Sequence, residues 1–104
     1  MNRRRSVFTL LLLLVIAVGV AACGRYELEV QNKTDDILDI YVDEFYEGSV
    51  APKNYLLIRH LSEGEHYIEA FDLDENLVVD DIVYINDNSK WVIHESYSHF
   101  YWSR

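Results

Sequence analysis

Three oxygen-bearing side chains have the spacing to bind a metal ion. Asp72-x-Asp74-x-Asn76 begins like the calcium loop of an EF-hand, in which alternate residues supply the ligands. Leu77 stands where that loop needs a glycine, and Val83 stands where it needs a bidentate glutamate. A solvated hairpin turn is therefore favoured, and a weak cation site at this turn remains the alternative.

Two histidines could also share a metal. His60 and His66 lie in segments that we expect to pair as a hairpin, which would place them opposite each other. Zinc usually needs three or four protein ligands, and nothing in the spacing brings His94 or Glu95 to the pair. Packed or hydrogen-bonded histidines are favoured instead. Because no serine, histidine and aspartate share a nucleophile motif, we predict neither an enzyme nor a cofactor.

The charge of the chain limits its partners. After residues 1–22, six basic residues stand against all 18 acidic ones, a formal charge of −12 compared with −9 for the whole chain. Nucleic acid is an improbable partner, because phosphate binding needs a basic surface. An anionic membrane surface would also repel this part of the chain. The negative charge is compatible with a cationic partner or with a divalent ion, and it does not discriminate between the two.

The N-terminal segment has the composition of a secretory signal peptide. Arg3, Arg4 and Arg5 precede an apolar run over residues 7–22, and no acidic residue comes before Glu27. The run has sixteen residues, whereas a membrane-spanning helix needs about twenty. We therefore predict that residues 1–22 are a helical signal peptide.

The end of this run carries the chain's only cysteine. Val20-Ala21-Ala22-Cys23 resembles the lipobox of bacterial lipoproteins, an aliphatic residue and two small residues before a cysteine. The resemblance implies cleavage between Ala22 and Cys23 and a diacylglyceryl thioether on Cys23. Two or three acyl chains would make the membrane attachment effectively permanent. The alternative is a free or intermolecularly paired thiol.

The same resemblance implies a location in the cell envelope. Residues 23–25 would be the lipidated cysteine and a tether of about 10 Å, and residues 26–104 the anchored domain. Gly24 stands where an aspartate retains some Gram-negative lipoproteins in the inner membrane. We therefore expect the outer membrane, facing the periplasm, in a Gram-negative host, and otherwise the outer face of the cytoplasmic membrane.

Apolar and polar residues alternate with period two through most of the remaining chain. Residues 26–31, 38–42, 55–61, 65–72, 77–85 and 91–93 fit strands, separated by clusters of turn residues. Residues 43–48 are expected to form a turn, and Pro52 makes residues 49–53 an edge or loop segment. No helical period is evident beyond the signal. The pattern predicts an all-β fold, a small single-domain antiparallel β-sandwich of about seven strands.

Segments 55–61 and 65–72 fit a hairpin around Ser62-Glu63-Gly64. That register places Ile58 opposite Ile68 on the inner face. It gathers five large residues on the outer face, which together with Trp102 are a candidate partner surface: Tyr55, Leu57, Arg59, Tyr67 and Phe71. The aromatic tail over residues 97–102 is expected to pack on this face, with a partner or membrane contact as the alternative.

The middle of the domain also shows a resemblance. Ile40-Tyr41-Val42-Asp43, then Gly48, Pro52 and Leu61-x-x-Gly64-x-His66-x-Ile68, is similar to the PEGA-type domain over about thirty residues. Thr34-Asp35-Asp36-Ile37 stands where Pro-Glu-Gly-Ala would be, and Glu44 replaces the glycine after the strand aspartate. The resemblance implies a small β-sandwich that acts as an extracytoplasmic binding or spacer module, with no active site.

Two functions from different classes follow. The first is a lipid-anchored envelope lipoprotein, a non-enzymatic binding or assembly module for an envelope protein or cell-wall partner. The alternative is a divalent-cation-binding protein or small hydrolase that uses acidic and histidine residues.

Overall fold

The computed structural model describes residues 24–103, which fold into eight β-strands in two sheets. The strands are β1 (Tyr26–Asn32), β2 (Leu38–Val42), β3 (Phe45–Val50), β4 (Tyr55–Leu61), β5 (Gly64–Phe71), β6 (Leu77–Ile85), β7 (Ser89–Ile93) and β8 (Ser98–Trp102). Sheet A has the order β4-β1-β7-β8, and sheet B has the order β3-β2-β5-β6. The predicted all-β sandwich is confirmed, with eight strands. The proposed signal peptide over residues 1–22 lies outside the described residues.

The core lies between the two sheets and follows the period-two alternation. In β1, Leu28 and Val30 are fully buried, while Glu27 and Glu29 are partly exposed on the other face. β1 pairs with β7 in parallel, which places Val30 beside the fully buried Trp91. All other neighbouring strands are antiparallel. The described sandwich is therefore antiparallel apart from this one pair.

The turn expected over residues 43–48 is much shorter. Asp43 and Glu44 both have positive φ, 52° and 71°, and Val42 pairs directly with Phe45. Two consecutive left-handed residues make the tight two-residue loop that suits the twist of a hairpin. The chain therefore reverses at once, and most of the expected turn becomes the edge strand β3.

The predicted hairpin between residues 55–61 and 65–72 is wrong. β4 pairs with β1, with Ile58 opposite Leu28, whereas β5 lies between β2 and β6 in the other sheet. Near the end of β4, His60 has a left-handed backbone, φ 65°, and Gly64 opens β5 with φ 130°. These conformations direct the connection from one sheet to the other, so the Ile58–Ile68 pairing does not form.

A buried asparagine fastens one end of the sandwich. Asn32 is fully buried, and its amide nitrogen donates to the carbonyls of Asp36 at 2.7 Å and Val50 at 3.0 Å. Its side-chain oxygen accepts from the N–H and the hydroxyl of Thr34 at 2.9 and 2.7 Å. Every polar position of this amide is satisfied, which is the condition for burying it without a large cost. The network joins β1, the following turn and β3.

Candidate functional site

The six residues predicted as a partner surface do not gather on one face. Tyr55, Leu57 and Arg59 lie on β4 in sheet A, whereas Tyr67 and Phe71 lie on β5 in sheet B. The two sets are on opposite outer faces of the sandwich, because the hairpin that would have joined them is absent. The prediction of a single surface is therefore wrong.

The sixth residue, Trp102, belongs to the C-terminal tail, which does not pack on an outer face. Residues 98–102 form β8, an edge strand paired with β7, in which Phe100 lies opposite Trp91 and packs against the core. Trp102 is 44% exposed, and its indole N–H donates to the carbonyl of Tyr84 at 3.4 Å. The tail belongs to sheet A through its backbone pairing with β7. The prediction that it packs on the outer face of a hairpin formed by residues 55–72 is therefore wrong.

Ala22 and Cys23, the expected cleavage and lipidation positions, lie outside the described residues. Gly24 is described and sits against the backbone of Leu61 and Ser62, where a Cβ atom would collide. Gly24 is therefore already packed against the described sandwich. Residues 24–103 contain no helix long and apolar enough to cross a membrane.

Asp72, the first residue of the calcium-like sequence, forms a turn with its own side chain. Its carboxylate accepts from the backbone N–H groups of Asp74 and Asn76, both at 2.9 Å, and from the side-chain amide of Asn76 at 3.3 Å. The hydrogen bonds from Asn76 lower the pKa of this carboxyl. These are the contacts of a hairpin turn. Among the described residues, no three histidine, cysteine or acidic side chains come together as a metal site.

The two histidines expected to face each other are separated. His60 is exposed on β4, and His66 is 7% exposed on β5 with its ring directed inward. The ring of His66 instead contacts the hairpin between β2 and β3. Its Nδ1 lies 2.6 Å from a carboxylate oxygen of Asp43, and its Nε2 lies 2.7 Å from the carbonyl oxygen of Ser62.

These contacts determine the protonation of His66. A carbonyl oxygen and an ionised carboxylate only accept hydrogen bonds, so this geometry favours the charged form of His66, in which both ring nitrogens carry a proton. The bond to Asp43 accordingly raises the pKa of His66, against the effect of burial. Burial alone would raise the pKa of Asp43, but the hydrogen bonds from His66 and the N–H of Tyr67 outweigh it and lower that pKa. The pair is a half-buried ion pair that fixes the β2–β3 hairpin to β5.

This ion pair joins two segments that are distant in sequence. Asp43 lies in the turn between β2 and β3, and His66 lies on β5. The backbone reinforces the connection, because Asp43 N–H donates to the carbonyl of Tyr67 at 2.7 Å. The contact explains why these residue types suit these two positions, and its role is structural.

The outer face of sheet B is the most aromatic surface of the described domain. Register places Tyr46, Tyr41, Glu69 and Asp80 in one row across all four strands. The remaining outward residues lie in the neighbouring rows. We call the whole set the aromatic face: Asp39, Tyr41, Tyr46, Glu65, Tyr67, Glu69, Phe71, Leu77, Asp80, Ile82 and Tyr84.

The rings on one side of the aromatic face hold each other in place. Tyr41 makes edge-to-face contacts with Tyr46 and Phe71, with ring centroids 5.6 and 5.4 Å apart. Such pairs contribute about 0.5–1.5 kcal/mol beyond the area that they bury. The Tyr46 hydroxyl is also 2.8 Å from the hydroxyl of Ser49. These aromatic side chains are therefore preorganised before any ligand arrives.

The charges of the domain are divided between its two sheets. Residues 38–50 and 64–85, which form sheet B and its hairpin turns, carry eleven acidic residues and no lysine or arginine. The basic residues at positions 59 and 90 lie on sheet A, and those at 25, 33 and 53 lie in segments next to it. The aromatic face is consequently an anionic surface.

Sequence reasoning missed the aromatic face as a unit. Alternation alone places Tyr41 and Tyr84 on outward positions of their strands. Their meeting with Tyr67 and Phe71 depends on β5 lying between β2 and β6, which the mistaken hairpin excluded. Comparison of the chain with protein-family models, curated proteins and solved structures finds no match.

Proposed function

We propose that this chain is a lipid-anchored bacterial envelope lipoprotein, whose β-sandwich is a non-enzymatic binding or assembly module held at the membrane through Cys23. The proposal joins the lipobox-like sequence before Cys23 to the folded domain that follows it. The partner would be an envelope protein or a cell-wall component, and nucleic acid is disfavoured by the charge of −12 after residue 22.

One observation supports this proposal above the others. β1 begins at Tyr26, and Gly24 already lies against the backbone of Leu61 and Ser62. Only glycine permits so close an approach of two backbones without a clash. An acyl group on Cys23 would thus be attached almost directly to a folded sandwich, and the domain would sit within about 10 Å of the bilayer.

A short tether suits a module that acts at the membrane surface. It limits the volume that the domain can explore, which raises its effective concentration towards partners in the same membrane. Because the domain is anionic, attraction to anionic lipid headgroups would not hold it there. The acyl chains would supply the attachment, and the protein surface would stay available for a partner.

The anchor is tested by expressing the full chain and Cys23→Ser in a bacterial host with a labelled palmitate analogue. We expect the unchanged chain to incorporate label and to remain in the membrane fraction after a carbonate wash. Cys23→Ser should incorporate no label and should leave that fraction. The combined variant Cys23→Ser/Ser103→Cys is the matched control, since it restores one thiol away from the lipobox-like sequence and should remain unlabelled.

Two results would contradict the anchor. If Cys23→Ser stays with the membrane after the wash, the apolar run over residues 7–22 crosses the membrane and no lipid is needed. If the control carrying Ser103→Cys is labelled as strongly as the unchanged chain, the modification does not depend on the sequence before Cys23.

A further inference from the structure

The aromatic face exposes large side chains that the sandwich does not need for its own core. Tyr46 is 57% exposed, Ile82 is 66% exposed, and Tyr84 and Leu77 are each 48% exposed. Scattered exposed apolar residues are ordinary, but these residues belong to one sheet and share one face. With strands about 4.8 Å apart, four strands span roughly 15 Å, which is enough to support an extended peptide of several residues.

Carboxylates lie between the aromatic residues of this face. Glu69 and Asp80 form the middle and edge of one row, and Glu65 lies opposite Tyr84 in another. The Tyr67 hydroxyl donates to Asp80 at 2.8 Å. That bond, together with burial and Glu69, raises the pKa of Tyr67 far above its ordinary value of 10.0. The cause is local, because losing the proton would break the bond to Asp80 and place a second negative charge beside the carboxylates of Asp80 and Glu69.

Aromatic rings and carboxylates together are complementary to arginine. The guanidinium group stacks on aromatic faces and also forms two parallel hydrogen bonds to a carboxylate. Lysine can meet the charge but has no planar group to stack. With no lysine or arginine on its own strands, sheet B leaves the cationic component to another molecule.

We propose that the aromatic face of sheet B docks an arginine-containing cationic segment of a partner protein. This proposal rests on the proposed function as a binding module and names the chemistry of its partner. Arginine side chains of the segment lie over the rings of Tyr46 and Tyr84 and reach the carboxylates of Glu65 and Asp80. The segment crosses the four strands at an angle to the rows, because Tyr46 and Asp80 lie in one row whereas Glu65 and Tyr84 lie in another.

Charge complementarity selects this occupant over others. A membrane of anionic lipids and a nucleic acid are both repelled by the eleven acidic residues of sheet B and its turns, whose own segments carry no lysine or arginine. A second sheet B of the same chain carries the same charges, so face-to-face self-association is disfavoured as well. A cationic polypeptide is attracted by the field and is also held by the rings.

The test measures binding of labelled hexapeptides to the full-length protein in neutral detergent by fluorescence anisotropy at low ionic strength. An arginine hexapeptide should bind at least about threefold more tightly than a lysine hexapeptide of equal charge, because only arginine stacks well. A glutamate hexapeptide should not bind. Equal affinity for the arginine and lysine peptides overturns the proposal, since bulk charge would then explain the binding.

Paired variants locate the site. Glu65→Gln/Asp80→Asn removes two charges from the aromatic face and should weaken the arginine peptide about fivefold. The amide at position 80 can still accept from the Tyr67 hydroxyl, so the fold is retained. Glu27→Gln/Glu29→Gln removes two charges from the outer face of sheet A and should change the affinity less than about twofold. Equal losses from the two pairs overturn the proposal.

A second pair of variants tests the rings. Tyr46→Thr keeps a β-former on the edge strand and should weaken the arginine peptide about threefold, whereas Tyr55→Thr on sheet A should leave it unchanged. A loss of equal size in both refutes the site. If the arginine peptide binds but Cys23 is not labelled, the lipid-anchor proposal is refuted and the docking proposal stands. If Cys23 is labelled but the peptide does not bind, the docking proposal is refuted and the lipid-anchor proposal stands.

Discussion

Replacing Asp43 by asparagine tests the most enclosed electrostatic contact of the domain. The substitution keeps the size of the side chain and removes the charge that faces the ring of His66. In the folded protein, one oxygen of Asp43 accepts from His66 at 2.6 Å, and the other accepts from the N–H of Tyr67 at 2.9 Å. Asparagine has only one acceptor oxygen. When that oxygen accepts from the N–H of Tyr67, the amide NH2 faces Nδ1 of His66, which must lose its proton, so a neutral hydrogen bond replaces the charge-assisted one.

The size of the effect follows from the exposure of the two partners. A hydrogen bond to a charged group contributes about 1.5–3 kcal/mol, and breaking a fully buried ion pair costs about 3–5 kcal/mol. The side chain of His66 is 8% exposed, but that of Asp43 is 44% exposed, so water compensates part of the loss. We expect Asp43→Asn to lower the free energy of unfolding by about 2 kcal/mol and Tm by roughly 10 °C.

The pH dependence has a defined sign. The raised pKa of His66 means that its stabilisation is fully present below the ordinary value of 6.5 and is lost as pH rises through the folded value. The lowered pKa of Asp43 means that its contribution is present above 3.8 and is lost as pH falls through the folded value. The pair therefore stabilises the fold most between about pH 4 and pH 6.5.

Urea denaturation of the full-length protein in neutral detergent, followed by circular dichroism at about pH 5, 7 and 9, measures this effect. The matched control is Asp35→Asn, whose partner Lys53 is 3.4 Å away with both side chains largely exposed. It should cost less than about 0.5 kcal/mol at every pH. If the cost of Asp43→Asn does not shrink towards alkaline pH, His66 is not its charged partner and the reasoning fails.

Two further predictions concern the backbone. Glu44→Gly should raise the free energy of unfolding by about 1 kcal/mol in the same urea assay, because Glu44 has φ 71° and glycine relieves that conformation. Glu44→Ala is the control, because alanine removes the charge and keeps the strained left-handed backbone. If Glu44→Ala raises the free energy of unfolding by the same amount, the gain comes from removing the charge and the reasoning from backbone strain fails. Deleting residues 98–104 should lower Tm by more than about 12 °C in calorimetry and increase ANS binding, because Trp91 loses Phe100 as its neighbour. An unchanged Tm would show that β8 is dispensable for folding.

The alternation of residues was sufficient to predict much of the fold. It identified which side chains of β1 and β2 face inward, including the fully buried Leu28 and Ile40. It also predicted the all-β class, because period two is a property of the extended backbone itself. The turn at Asp72 was recognisable for the same local reason, since its side chain bonds to residues only two and four positions later.

The partner of each strand was not a local property. Residues 55–61 and 65–72 have good alternation and a plausible turn between them, yet β4 and β5 lie in different sheets. The alternation of residues within a strand does not specify which other strand will pair with it, because strand pairing depends on how distant segments pack into the same core. The one incorrect pairing displaced both the predicted partner surface and the predicted histidine pair.

The sequence by itself determined the positions of six of the eight strands, most of their inward residues, the acidic balance and the resemblance to a lipobox before Cys23. Tertiary structure alone decided that Asp43 meets His66 across 23 positions of sequence and that Tyr41 shares a face with Tyr67. Both outcomes require β5 to pair with β2, and this pairing is established only when the two sheets pack together around one core. Local backbone geometry sets the direction of each side chain, and only the closed sandwich sets its neighbours.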